Sequence, residues 1–180
     1  MQYRRVFVPG GTYFFTLVAF SRRKIFTQDN VVAMLRQAFQ IVQVKHPFKI
    51  EAAVILPEHL HMIFSLPECD GDYPTRWRLI KTYFTQHWEG ANDIPATASR
   101  QLKGERAVWQ RRYWEHLIRD GEDWKRHVEY IHYNPVKHGL VRAPVEWKYS
   151  SFHTFVKQGL YSADWGAEED FEVASIVGME

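Results

Sequence analysis

Val54-Ile55-Leu56-Pro57-Glu58-His59-Leu60-His61-Met62-Ile63-Phe64-Ser65-Leu66 holds two apolar, β-rich runs joined at Pro57-Glu58. Side chains two apart on an extended strand point to the same face. His59 and His61 therefore project together while Leu60 enters the core. Two imidazoles converging from one strand make a pair of metal ligands; the alternative is two ordinary hydrogen-bonded histidines. The stretch predicts strands over 48–56 and 59–66, linked by two residues as an antiparallel hairpin or a bend in the pairing.

Upstream, Gly10-Gly11 opens an aromatic and β-branched run, Thr12 to Phe20, which reads as a strand. It ends in the basic turn Ser21-Arg22-Arg23-Lys24, and between Met1 and Gln28 five basic residues meet no acidic one, a candidate phosphate contact. A helix is expected from Asp29 or Asn30, either of which could cap it, to about Lys45, with Val32, Leu35, Ala38 (or Phe39) and Val42 as its apolar stripe.

Downstream, a second helix runs from about Pro74-Thr75 to Trp88 and carries Arg76, Trp77, Arg78, Lys81 and Tyr83. Interleaved basic and aromatic residues suit a nucleic-acid backbone with bases stacking on rings. The alternative is a core stripe of Trp77, Ile80 and Phe84 beside a solvated basic face. Gly90 to Arg106, polar and broken by Pro95, reads as a long loop that orders on ligand binding. Trp109 to Arg119, with Arg111 and Arg112, reads as a fourth strand with a charged face. A third helix begins near Asp120 and is expected to end or kink at Asn134, because Pro135 disfavours helical geometry in the residue before it.

The order β-α-β-β-α-β-α predicts an α+β fold: a ferredoxin-like split βαβ antiparallel sheet with helices on one face, plus an added helix carrying a tyrosine. The strands over 48–56 and 59–66 would lie centrally. At 180 residues, 46% hydrophobic and 24% charged, the chain suits one globular domain, expected over 1–163 with an acidic tail over 164–180. Seven Trp, nine Tyr and twelve Phe exceed what a small core needs, so some rings are expected on a binding surface.

Cys69 is the single cysteine, which excludes an intrachain disulfide and fits a reducing compartment. With neither a signal-peptide h-region nor an apolar run long enough to span a bilayer, a cytoplasmic protein without membrane partners is expected. The net charge of +2 is unevenly placed: six of the 21 acidic residues fall between Asp164 and Glu180, where there is no basic one. The more basic body points to a polyanionic partner, nucleic acid first.

In the third helix Tyr130 and Asn134 are four apart and His127 lies three before Tyr130, so all three share a face. A tyrosine can attack phosphorus, but its phenolate needs a cation or metal nearby, since its free pKa is near 10. Asn134 offers a neutral oxygen that completes a His-His-Asn set for a hard divalent cation, Mg²⁺ or Mn²⁺. Alternatively Tyr130 simply packs, and Asn134-Pro135 caps and opens a new short helix.

Leu56-Pro57-Glu58-His59-Leu60-His61 resembles the histidine-hydrophobic-histidine (HUH) motif of single-strand DNA nucleases. Tyr130-Ile131-His132-Tyr133-Asn134-Pro135-Val136-Lys137-His138-Gly139-Leu140-Val141 is similar to the tyrosine helix of the IS200-like single-tyrosine transposases, in the branch associated with repetitive extragenic palindromes (REP elements). Tyr3-Arg4-Arg5, Trp109 to His116 and Trp147 to His153 add to the likeness, which reaches about residue 165.

The resemblance implies Tyr130 as nucleophile, with Tyr133 a weaker candidate, and His59, His61 and Asn134 as metal ligands. His127, Glu129 or a water would take the phenol proton. It implies cleavage and rejoining of single-stranded DNA next to an imperfect hairpin, through a 5′-phosphotyrosine, by a monomer or homodimer. Arg4, Arg5, Arg22, Arg23, Lys24, Arg76, Arg78, Lys81, Arg111 and Arg112 are the expected DNA contacts. The rival readings are a non-catalytic hairpin-binding module on the same scaffold and a small-molecule metal hydrolase; the basic body speaks against the latter.

Overall fold

A computed structural model describes residues 6–167. Four antiparallel strands form one sheet in the order β2-β3-β1-β4: β1 Thr12–Val18, β2 Lys49–Ile55, β3 His59–Ser65 and β4 Trp114–Leu117. Helices α1 (Asp29–Lys45) and α2 (Tyr73–His87) pack on one face, against Phe15, Leu17, Leu60, Met62 and Phe64. Helix α4 (Gly121–Lys137) covers the opposite face through Phe14, Val54 and Ile63. The expected α+β sheet, with two helices on one side and the tyrosine helix added, is the observed one. Among the described residues no helix is long and apolar enough to cross a membrane.

The alternation along β3 is complete. Leu60, Met62 and Phe64 join the core under α1 and α2, while Ile63 joins the core under α4 and the ring of His61 meets Tyr130 of that helix. β3 is a central strand, paired with β1 from Val18↔His59 to Thr12↔Ser65. β2, expected to be central as well, lies at the edge. That edge is not bare: Ile55 N–H donates to Tyr149 O (2.9 Å), Ser151 N–H to Ala53 O (2.8 Å) and the Trp147 indole to Ile55 O (2.9 Å). The covering segment takes the place of a neighbouring strand.

Several expected boundaries move, each for a visible reason. β4 is four residues long rather than eleven. Trp109 bridges Ala19 and Gln110 N–H donates to Val18 O, but the next ladder pair is Thr16↔Trp114. Between the Ala19↔Trp109 bridge and the Thr16↔Trp114 pair lie two residues on one side and four on the other, and the excess is taken up by a bulge in which Arg111 is drawn to Glu105 and Ser99. The expected loop over 90–106 carries a 3₁₀ turn at Glu89–Ala91 and the short helix α3, Ala98–Gln101. It is anchored by Arg100, which is buried, donates to the carbonyls of Arg106 and Trp109, and lies 4.5 Å over the Phe20 ring.

Neither Asp29 nor Asn30 caps α1. Gln28 takes that position without a side-chain bond, and Asp29 in the first turn accepts from Lys148 and Tyr149. α2 and α4 are capped by carboxylates, Asp72 accepting from Thr75 N–H (3.0 Å) and Asp120 from Asp123 N–H (2.8 Å).

α4 does not end at Asn134 but runs through Pro135 to Lys137. Proline removes one intrahelical donor, but His138 N–H still reaches Asn134 O (3.0 Å). The true stop is Gly139, at φ +64°, where Gly139 N–H donates to Val136 O (2.8 Å) and Leu140 N–H to Pro135 O (2.9 Å). This is the Schellman ending, which needs a left-handed residue that glycine supplies without strain. Asn134 is therefore an interior helical residue, free of any capping duty. A last short helix, α5 (Phe152–Lys157), packs against α4 through Phe155.

Candidate active site

β3 presents His59 and His61 toward α4, with ring centroids 4.8 Å apart; they are 2% and 0% exposed. Each has one nitrogen engaged. The Nδ1 of His59 lies 3.1 Å from the Glu58 carboxylate and the Nδ1 of His61 lies 2.8 Å from Thr16 Oγ1. Both Nε2 atoms are buried with no hydrogen-bond partner among the described residues. Burial lowers the pKa of His59 to about 4, against the pull of Glu58, and holds His61 well below the usual imidazole range. Both rings are thus neutral at ordinary pH, the state in which imidazole binds a metal.

From α4, Asn134 is fully buried, and neither its carboxamide oxygen nor its nitrogen has a partner among the described residues. Tyr130, one turn earlier, meets His61 edge-on at 5.1 Å between ring centroids and Phe14 at 6.1 Å. The expected residues His59, His61 and Tyr130 thus sit where β3 and α4 meet, and Asn134 is buried one turn farther along α4. Buried polar groups left unpaired are costly in a folded protein. Two imidazole nitrogens and a carboxamide oxygen are the donor set that a divalent cation would satisfy. Tyr133 points elsewhere, meeting Trp165 edge-on.

Sequence reasoning missed further residues of this site. The Lys137 ammonium lies 5.0 Å from the centroid of the Tyr130 ring, and the His138 ring is 5.2 Å from that of His59. Both fall inside the tyrosine-helix motif but were masked by the expectation that the helix stops at Pro135. The signal for Thr16 was available, since Phe14 and Thr16 alternate with the opposite face just as His59 and His61 do. Arg22, an expected DNA contact, is exposed and close enough to lower the pKa of both histidines.

His127 is buried and in contact with Phe14, 4.9 Å between centroids. Its Nδ1–H donates to the Asp123 carbonyl (2.7 Å) and lies 3.2 Å from the carboxylate of the same residue. The other Asp123 carboxylate oxygen accepts from His116 Nε2 (2.8 Å) and from the backbone and side-chain N–H of Arg119 (both 3.1 Å). Among the described residues His116, Asp123 and His127 also form a group whose ligand atoms lie within 4.8 Å of one another, compatible with a divalent metal.

The expected DNA contacts do not form one surface. Arg4 and Arg5 lie outside the described residues, as does the tail from residue 168. Arg23, Lys24 and Arg112 are exposed. Arg78, Lys81 and Arg111 line a groove of about 840 Å³ between α2 and the segment 100–113, with Arg106 and Glu105. Arg76 is the exception. It is 1% exposed, and its guanidinium donates five hydrogen bonds, to Asp70, the Asp72 carbonyl and the Pro47 carbonyl, so no donor is left for a phosphate.

A family profile described as "Transposase IS200 like" matches residues 8–134. A protein of Escherichia coli K12 named REP-associated tyrosine transposase is 43% identical over 169 residues, covering 93% of this chain and 92% of that one. A Haemophilus influenzae protein provisionally given the same name is 42% identical over 177 residues, 96% and 97% of the two chains. A solved structure of a REP-associated tyrosine transposase bound to a REP hairpin has a TM-score of 0.77 and 40% identity, covering 98% of both chains.

Proposed function

The chain belongs to the IS200-like transposases, and from that premise we propose that it cuts and rejoins single-stranded DNA beside hairpins through a covalent bond to Tyr130. The observation that carries this reading is the contact of Tyr130 with His61, whose Nε2 is buried and without a partner among the described residues, as are Nε2 of His59 and the Asn134 carboxamide one turn along α4 from Tyr130. A packing tyrosine does not call for such neighbours. Residues that only pack are apolar or have their polar atoms paired.

In the proposed reaction Tyr130 Oη attacks the scissile phosphorus, an Oη–P bond forms and the P–O3′ bond breaks. The products are a 5′-phosphotyrosyl protein and a free 3′-hydroxyl. Attack by another 3′-hydroxyl reverses the sequence and joins strands without ATP, because the covalent intermediate keeps the bond energy. Lys137, over the Tyr130 ring, offsets the charge of the phenolate when it enters and when it leaves.

His59, His61 and Asn134 would hold a divalent cation, Mg²⁺ or Mn²⁺, which when bound polarises a phosphoryl oxygen. The neutral state of both histidines supports this role. Arg22, exposed and near enough to the histidines to lower their pKa, offers a further positive charge to the single strand. Arg78, Lys81 and Arg111 offer phosphate contacts along the groove beside α2. The hairpin held by the solved relative supports a REP-type hairpin as the substrate.

The test is incubation of the protein and of Tyr130→Phe with labelled single-stranded REP-type hairpins, with Mg²⁺ or with chelator, on a denaturing gel. A slow-migrating adduct that requires both the metal and Tyr130 is expected. Tight hairpin binding with no adduct under any condition would leave a binding module instead.

A further inference from the structure

Asp123 is buried, far from the histidine pair in sequence, and has more hydrogen-bond partners than a capping residue needs. It sits in the first turn of α4, where His116 of β4 and Arg119 of the intervening turn converge on one carboxylate oxygen. Burial would raise its pKa, but the hydrogen bonds from His116 and Arg119 outweigh it and hold the carboxyl well below the usual range. The group is therefore held as an anion, with the Arg119 guanidinium and the His116 N–H both turned to its Oδ2.

The tautomers in this cluster follow from the acceptors. A carbonyl oxygen can only accept, so the 2.7 Å contact to the Asp123 carbonyl requires the His127 proton on Nδ1. An ionised carboxylate also only accepts, so His116 carries its proton on the Nε2 that faces Asp123. In these tautomers the two ring nitrogens that face Asp123 donate hydrogen bonds to it, and a cation bound through them would have to displace both protons. The lone pair of His127 is left on Nε2, which is buried and has no partner among the described residues. The ring is pinned in this attitude: it stacks on His116 at 4.6 Å and 14°, and rests on Phe14 at 4.9 Å. Tyr130, three residues on and therefore on the same face of α4, rests on the same Phe14.

We propose that Asp123, anchored to β4 through His116, is a positioning residue that fixes His127 with its Nε2 lone pair available to take the Tyr130 phenol proton. The inference rests on the reading of Tyr130 as the nucleophile. As the Oη–P bond forms, the proton moves from Oη to His127 Nε2. The 3′-oxygen leaves with the electron pair of the broken P–O bond and takes a proton from water. In the rejoining direction the leaving phenolate recovers its proton from Nε2. Asp123 stabilises the transient imidazolium without itself being protonated, the part a buried aspartate plays beside a catalytic histidine. The low pKa of His127, set by its burial, keeps the ring neutral and ready to accept.

The experiment is single-turnover adduct formation on a labelled REP-type DNA hairpin with single-stranded flanks, using wild type, Asp123→Asn and His127→Gln. Each is made with tyrosine and with 3,5-difluorotyrosine, whose phenol is more acidic, at position 130. Both variants are expected to form adduct about 10²-fold more slowly, with hairpin affinity within about twofold of wild type. Difluorotyrosine is expected to restore most of that loss in the variants while changing wild type little. A merely structural defect would slow both tyrosines alike, and that result overturns the proposal, as does an Asp123→Asn rate within twofold of wild type. Should wild type itself give no Tyr130-dependent adduct, the nucleophile assignment fails first, and the positioning role falls with it.

Discussion

Thr16 Oγ1 lies 2.8 Å from His61 Nδ1, across the β1–β3 ladder in which the two residues are direct partners. With the proton on Nδ1, the imidazole donates to the hydroxyl and keeps its lone pair on Nε2, the buried atom that has no partner among the described residues. Outer partners of this kind hold a ligand histidine in one tautomer and one orientation. Thr16→Val keeps the shape and the strand propensity but removes the acceptor. Mn²⁺ affinity, read by calorimetric titration, is expected to fall by about tenfold or more, with hairpin binding in chelator unchanged. Equal Mn²⁺ affinity in the two proteins would remove Thr16 from the site.

Two arginines two residues apart on α2 are expected to fail in different ways. Arg76→Gln withdraws donors from the Pro47 and Asp72 carbonyls, while Asp70, about a third exposed, can rehydrate. Urea unfolding is expected to show a loss of about 3 kcal/mol. Arg78→Ala, at an exposed groove position, should leave stability within about 0.5 kcal/mol. It should instead reduce the slope of log hairpin affinity against log salt by about one. A reversed pattern would mean that the groove and the ion pair have been assigned the wrong way round.

His132 couples stability to pH. It is fully buried, donates or accepts at Ser151 Oγ (2.9 Å), and burial, helped by His153, pushes its pKa from 6.5 down to about 3. Above pH 6.5 both folded and unfolded states carry it neutral. Below that, the unfolded chain takes up a proton that the folded chain refuses until about pH 3, so stability falls as pH falls through this window. At pH 5 the loss amounts to about 2 kcal/mol. His59 and His61 act in the same direction, so His132→Gln should flatten the decline between pH 7 and pH 5 without abolishing it. An unchanged slope in urea titrations at the two pH values would contradict the buried neutral state of this ring.

What could be read from the residues was what rests on period alone. His59 and His61 two apart on a strand, and Tyr130 and Asn134 four apart on a helix, meet in space because each pair already shares a face. Contacts set by tertiary geometry were not readable. Arg76 looked like a phosphate contact because its acceptors are a turn carboxylate and a carbonyl 29 residues away. Asp123 looked like a first-turn helix residue because nothing local points to His116. Pro135 misled for a different reason: the rule for the residue before proline is a preference, and here the Schellman bonds that close at Gly139 outweigh it. The extra residues in the 109–114 bulge leave no signature in hydrophobic alternation.

Asp123, His127, Tyr130, Asn134 and Lys137 follow one another along α4 at spacings of four, three, four and three, a seam that never leaves one side of the helix. Such a seam behaves as a ruler. A single inserted or deleted residue between 123 and 134 would rotate everything beyond it by about 100°, carrying the tyrosine away from the histidines while every residue type survived. Even seven inserted residues, which return to the same side, would shift the seam by about 10.5 Å. Evolutionary drift in chain length is therefore expected to be absorbed by the segment 89–106, tied at its far end by Arg100, while α4 keeps its length through long divergence.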